Sequence, residues 1–170
     1  MFAAQALAEE FTTHVRGCRS GIVACSARTA VESWFQVELA CMMLSSSRCE
    51  SVEFGYDYPN RGKADLAATC ENGVVVIEIK CFVSGADSNK LDKWPQQLGR
   101  LQQLIVAGRA SQGVAVSTFY GYGADKVSRL VRQFHPSPWD ASTPSMFFDQ
   151  AKLQLVVATL SQRTSSVHEV

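Results

Sequence analysis

Apolar and polar positions change their period several times along the chain, and each change marks an element. In residues 27–44, Val31, Trp34, Phe35, Leu39 and Met42 recur at helical spacing and form one wide apolar face. Thr29 with Glu32 three residues on is the capping-box pattern for the start of this helix, and Ser45, Ser46 and Ser47 end it. Ahead of it, residues 1–11 read as an amphipathic helix with Phe2, Leu7 and Phe11 as its apolar contacts. The period then shortens toward two. Residues 51–58 and 63–70 read as strands, separated by the turn Pro59-Asn60-Arg61-Gly62. Residues 74–82 form a third strand, reached through Asn72-Gly73, a strong hairpin signal. Val74 and Val76 lie on one face of it and Val75, Ile77 and Ile79 on the other. A strand apolar on both faces belongs in the interior of its sheet.

Helical spacing returns in residues 87–108, where Leu98, Leu101, Leu104 and Ile105 are apolar. Pro95 either kinks this helix or starts its main part at Trp94. Residues 113–119 read as a strand, 120–123 as a glycine-rich turn, 124–134 as a helix and 135–144 as a proline-containing loop. Residues 146–148 and 153–160 are β-rich, as a hairpin or an added strand, and the polar residues 161–170 are expected to fray. The order helix, three strands, helix, strand, helix, strand predicts an α/β fold, a mixed central β-sheet flanked by helices. A length of 170 residues fits one such domain.

Composition narrows the function without deciding it. A hydrophobic share of 46% excludes wholesale disorder. Sixteen basic and 16 acidic residues cancel, which argues against indiscriminate coating of nucleic acid but leaves room for a local basic groove. Residues 60–110 carry seven basic and five acidic side chains, whereas residues 1–58 carry four and seven. No apolar run is long enough to cross a membrane, and Glu9 and Glu10 give the N-terminus the wrong charge for a secretory signal, so no membrane partner is expected. None of the six cysteines forms a C-x-x-C pair and only three histidines are present, so a four-ligand structural zinc site has little support. Cys41 and Cys70 sit inside apolar runs. The expectation is reduced core thiols in a cytoplasmic protein.

The candidate chemistry lies in the hairpin. Taking Asn72-Gly73 as a two-residue turn pairs Glu71 with Val74, and counting back sets Asp65 opposite Lys80 and Ala67 opposite Glu78. Asp65, Glu78 and Lys80 then share one face. Charge in an apolar strand pair needs a reason. A structural salt bridge at a strand end is one. Metal binding is another: two carboxylates on adjacent strands suit a hard cation such as Mg²⁺, which makes a water a better nucleophile and stabilises charge on a phosphodiester. The lysine would orient or deprotonate that water and offset phosphate charge.

Asp65, twelve residues, then Glu78-Ile79-Lys80 resembles the PD-(D/E)XK nuclease superfamily. That group includes type II restriction enzymes, Holliday-junction resolvases and phage exonucleases. The lead-in Arg61-Gly62-Lys63-Ala64 is similar to the glycine and basic residues before the family's aspartate, although Ala64 stands where the family has proline. The resemblance covers residues 27–119. It implies a restriction-endonuclease-like core: helix, three-stranded meander, helix, strand. It implies Asp65 and Glu78 as ligands of Mg²⁺ or Mn²⁺ and Lys80 as the catalytic lysine. A further metal-binding glutamate from the first core helix is either Glu32, near the helix start, or Glu38, near the middle of the apolar face. Arg61, Lys63, Gln97 and Arg100 are the implied substrate contacts. The implied activity is metal-dependent hydrolysis of nucleic-acid phosphodiesters, DNA first, often as a homodimer. The alternative is a catalytically inactive module of the same fold in a larger DNA-processing or defence assembly.

Overall fold

A computed structural model describes residues 1–18, 31–60, 62–86, 88–148 and 152–161, without the side chains of Val31, Phe147 and Phe148. Thr29 and its capping box, Arg61 and the tail beyond Ser161 lie outside the described residues. The elements in chain order are α1 (Ala4–Arg16), α2 (Val31–Ser45), β1 (Cys49–Asp57), β2 (Lys63–Cys70), β3 (Gly73–Val83), α3 (Ser88–Val106), β4 (Gln112–Tyr120), α4 (Ala124–Phe134), β5 (Asp140–Ala141), β6 (Ser145–Phe148) and β7 (Leu153–Ser161). Among the described residues this is an α/β fold, with a seven-stranded mixed open sheet flanked by four helices.

Strands β1, β2 and β3 form an antiparallel meander. The chain then crosses over through α3 and returns as β4, parallel to β3, as a parallel pair requires. Strand β7 lies antiparallel to β4, and the short β5 and β6 pair with β7. Path order in the sheet is β1-β2-β3-β4-β7-β5, so β3 is interior, as its two apolar faces require.

The alternation of β3 builds two cores. Val75, Ile77 and Ile79 face α1 and α2, where Leu7, Phe11, Val15, Phe35, Leu39 and Met43 are buried. Val76 and Phe82 face the other side, against Trp94, Leu98, Leu101 and Leu104 of α3 and Val127 of α4. In α1 the apolar contacts Leu7, Phe11 and Val15 recur every fourth residue, and all three are buried. The helix therefore runs past residue 11, to Arg16. Helix α3 begins at Ser88, ahead of Pro95, which lies inside it. No helix among the described residues is long and apolar enough to cross a membrane.

Three expectations need correction. The β2–β3 turn is not Asn72-Gly73. Cys70 pairs with Gly73 and Thr69 with Val74, leaving Glu71 and Asn72 as the loop. Both positions of a tight Asn-Gly turn need positive φ. Here Gly73 takes φ +107° and Asn72 stays out of that region, so the glycine closes the turn from the strand side. The register moves by two residues, and the side chains keep their face. Second, Cys49 and Cys70 are joined as a disulfide between β1 and β2, and Cys41 is exposed, so these are not three reduced core thiols. Third, the loop after α4 contains a strand, β5, whose Asp140 and Ala141 pair with Thr159 and Ala158.

Candidate active site

The site lies where the sheet comes apart. Strand β2 stays paired with β1 as far as Asp57↔Lys63, and β3 stays paired with β4 as far as Val83↔Tyr120. Between them, the β2–β3 ladder stops at Leu66↔Ile77. Beyond that point the two strands part, and the β2-side edge of β3 loses its backbone partners. A freed backbone N–H in a protein interior needs an acceptor. Two carboxylates provide it. Asp65 Oδ2 accepts from the N–H of Ile79 at 2.6 Å, and Glu32 Oε2 accepts from the N–H of Cys81 at 3.3 Å.

Leu66↔Ile77 is the last pair, so Asp65 leaves the ladder next to Glu78 rather than Lys80, and the two carboxyls interact. Lys80 is then two residues further along, on the same face. Glu78 is buried, 3% exposed, and its Oε1 accepts a hydrogen bond from the hydroxyl of Tyr58. Asp65 Oδ1 accepts from Nε2 of Gln36 at 2.8 Å. Lys80 Nζ donates to Glu32 Oε1 at 2.9 Å.

Helix α2 explains which glutamate joins. Glu32 and Gln36 are one turn apart and share the face that meets the parted strands. Glu38 is six residues from Glu32, which places it about 120° round the helix. It engages His14 instead, at 3.0 Å, and accepts from the thiol of Cys18 at 3.3 Å. The structure thus brings Asp65, Glu78, Lys80 and Glu32 together and leaves Glu38 in a different contact.

Charge is unevenly compensated here. Burial pushes the Glu78 carboxyl up to about 8; the charge and hydrogen bond of Asp65 add to this, against the pull of Tyr58 and Lys80. Asp65 is also raised, by burial first and by Glu32, against the Ile79 N–H. Burial pulls Lys80 down, but the hydrogen bond and charge of Glu32, with Asp65 and Glu78, outweigh it, and the ammonium is held above its ordinary value. Burial and Glu78 push the Tyr58 hydroxyl up, so it acts as a donor.

Of the implied substrate contacts, Arg100, Gln97 and Lys63 are among the described residues. The guanidinium of Arg100 lies 6.0 Å from the centroid of the Tyr58 ring, which ties α3 to the site. Gln97 has its buried Oε1 without a partner. Lys63 is exposed and 3.6 Å from Asp57. Sequence reasoning missed Gln36 and Tyr58. Gln36 was findable, as the residue one helical turn after Glu32. Tyr58 carries no such signal, because a side chain just past the end of a strand is aimed by the turn that follows it.

Glu32, Asp65 and Glu78 are not drawn into one tight ligand set. Among the described residues, the group of three ligand types whose donor atoms all lie within 4.8 Å of one another is His14, Cys18 and Glu38. Comparison with protein-family models, curated proteins and solved structures finds no match to this chain.

Proposed function

We propose that the protein is a divalent-metal-dependent nuclease of the PD-(D/E)XK type that hydrolyses DNA phosphodiester bonds. The observation that carries this reading is the side-chain contact of Asp65 with Glu78 where β2 and β3 part, with Lys80 two residues along β3. The order α2, β1-β2-β3 meander, α3, β4 is also that of the superfamily core.

The donor set fits a hard cation. Two carboxylates from adjacent strands are what Mg²⁺ or Mn²⁺ takes from protein, with waters completing the octahedron. Burial first, and the charge of Asp65 after it, disfavour the ionised form of Glu78, and a divalent cation would favour it. Held there, it supplies Lewis-acid chemistry for phosphodiester hydrolysis. Asp65 and Glu78 would hold it. Gln36 and the Ile79 N–H fix the Asp65 carboxylate, and Tyr58 fixes that of Glu78. Lys80, held by Glu32, would orient the attacking water and offset phosphate charge. Glu32 positions Lys80. Arg100, Gln97, Lys63 and Arg61 remain the candidates for contact with the DNA backbone.

The experiment is cleavage of plasmid and linear DNA with Mg²⁺ and with Mn²⁺, beside the Lys80→Ala protein. Nicking or linearisation that needs the metal and falls by about 10²–10⁴ in the variant supports the reading. No cleavage with either metal, or equal cleavage by both proteins, removes it.

One observation favours a second reading. Glu32 already serves Lys80 and the Cys81 N–H, and the three carboxylates do not close into one ligand cluster. That suits an inactive module of this fold that binds partners within a larger assembly. Calorimetry separates the two: Mn²⁺ binding that disappears in Asp65→Ala belongs to the nuclease alone.

A further inference from the structure

The junction of α1 and α2 holds a second group of ligand-type side chains, away from the parted strands. His14 is in the last turn of α1. The turn continues through Gly17, whose N–H donates to His14 O at 3.1 Å, and through Cys18, whose N–H donates to Val15 O at 2.9 Å. Cys18 is therefore carried one turn beyond His14 on the same side. Glu38 reaches them from α2. His14 Nε2 is 3.0 Å and Cys18 Sγ 3.3 Å from the same oxygen, Glu38 Oε2, and the three donor atoms lie within 4.8 Å of one another.

We propose that His14 Nε2, Cys18 Sγ and Glu38 Oε2 form a binding site for a zinc-class divalent ion. The donor set is mixed nitrogen, sulfur and oxygen, which favours Zn²⁺ over Mg²⁺ or Mn²⁺. The edges of a tetrahedron drawn with ordinary zinc–ligand lengths are about 3.3–3.7 Å. The His14–Glu38 and Cys18–Glu38 edges are a few tenths of an ångström shorter and the His14–Cys18 edge is no longer than 4.8 Å, so an ion entering the site draws on small shifts of these side chains. The His14 and Glu38 side chains are 28% and 16% exposed, which leaves an ion a route from solvent. The thiol proton that now goes to Glu38 is released to solvent when the thiolate binds. The site links two helices that also pack through Phe11 and Phe35, so the ion would clamp α1 to α2. It differs in ligand type from the all-carboxylate site at Asp65 and Glu78 and does not depend on the nuclease reading.

The test is a Co²⁺ titration of the full chain under reducing conditions, with Mg²⁺ in excess to occupy carboxylate sites. The expected result is a thiolate-to-cobalt charge-transfer absorption that saturates at one equivalent and is displaced by Zn²⁺. The band is lost in Cys18→Ser. In His14→Ala and in Glu38→Gln, Zn²⁺ affinity falls by at least about tenfold. Absence of the band in the parent protein overturns the proposal, as does a band that persists unchanged in Cys18→Ser. Parent-like Zn²⁺ affinity in both His14→Ala and Glu38→Gln also overturns it, because a lone cysteine would then be the ligand.

Discussion

The hydroxyl of Tyr58 donates to Oε1 of Glu78, so a residue just past the end of β1 supplies the hydrogen bond of a carboxyl buried in the interior strand β3. Removing it leaves a buried acceptor unmet. Tyr58→Phe is expected to lose about 1–3 kcal/mol of stability, measured by urea denaturation. It also takes away the contact that pulls Glu78 down, so the pH midpoint for Mn²⁺ binding should move upward. An unchanged midpoint would mean that Tyr58 does not tune this carboxyl.

Glu78 sets a pH dependence whose sign follows from its environment. Its ordinary value is 4.5, and in the fold it is raised to about 8. Between those values the unfolded chain gives up a proton that the folded chain keeps. The contribution of this group is full below about pH 4.5 and is lost as pH rises toward 8. Glu78→Gln keeps an acceptor for Tyr58 and removes the titration. The variant is expected to gain stability relative to the metal-free parent as pH rises from 5 to 8, and to lose Mn²⁺ binding and DNA cleavage. Parallel denaturation curves for the two proteins across that pH range would contradict this.

His135 acts in the opposite direction. It is buried, its Nδ1 has no partner, and burial lowers it from 6.5 to about 4. Below pH 6.5 the unfolded chain takes up a proton that the folded chain refuses, so this group removes stability as pH falls toward 4. The slope approaches about 1.4 kcal/mol per pH unit. His135→Gln should flatten stability between pH 6.5 and 4 relative to the parent, read by denaturation at several pH values.

Gly73 carries the register of the candidate site. Its φ is +107°, and a Cβ there would stand 3.0 Å from both Cβ and Oγ of Ser111. Ser111 is itself held, since its Oγ donates to Val74 O at 2.9 Å. Gly73→Ala is expected to lower stability by about 1–3 kcal/mol through backbone strain, measured as a fall in Tm. A neutral result would place the turn's specification elsewhere.

Much of the site was legible because its pattern is local. Asp65, Glu78 and Lys80 lie on strands whose alternation can be counted, and a register error of two residues preserves the face. The identity of the facing residue was not legible. It depends on which turn residues take positive φ, and here Gly73 does while Asn72 does not. The choice between Glu32 and Glu38 was also hidden. Both lie on one helix, and only the rotation of α2 against the sheet sends Glu32 to Lys80 and Glu38 to His14.

By itself the sequence determined the helices and the long strands, their order and the two-faced burial of β3, because periodicity acts over a few neighbours. Tertiary structure alone decided that β2 and β3 part beyond Leu66 and Ile77, that Tyr58 and Gln36 reach the two carboxylates, and that His14, Cys18 and Glu38 meet. Each of these joins elements far apart in the chain. Their contacts arise from how whole helices and strands seat on one another, which no short window of residues encodes.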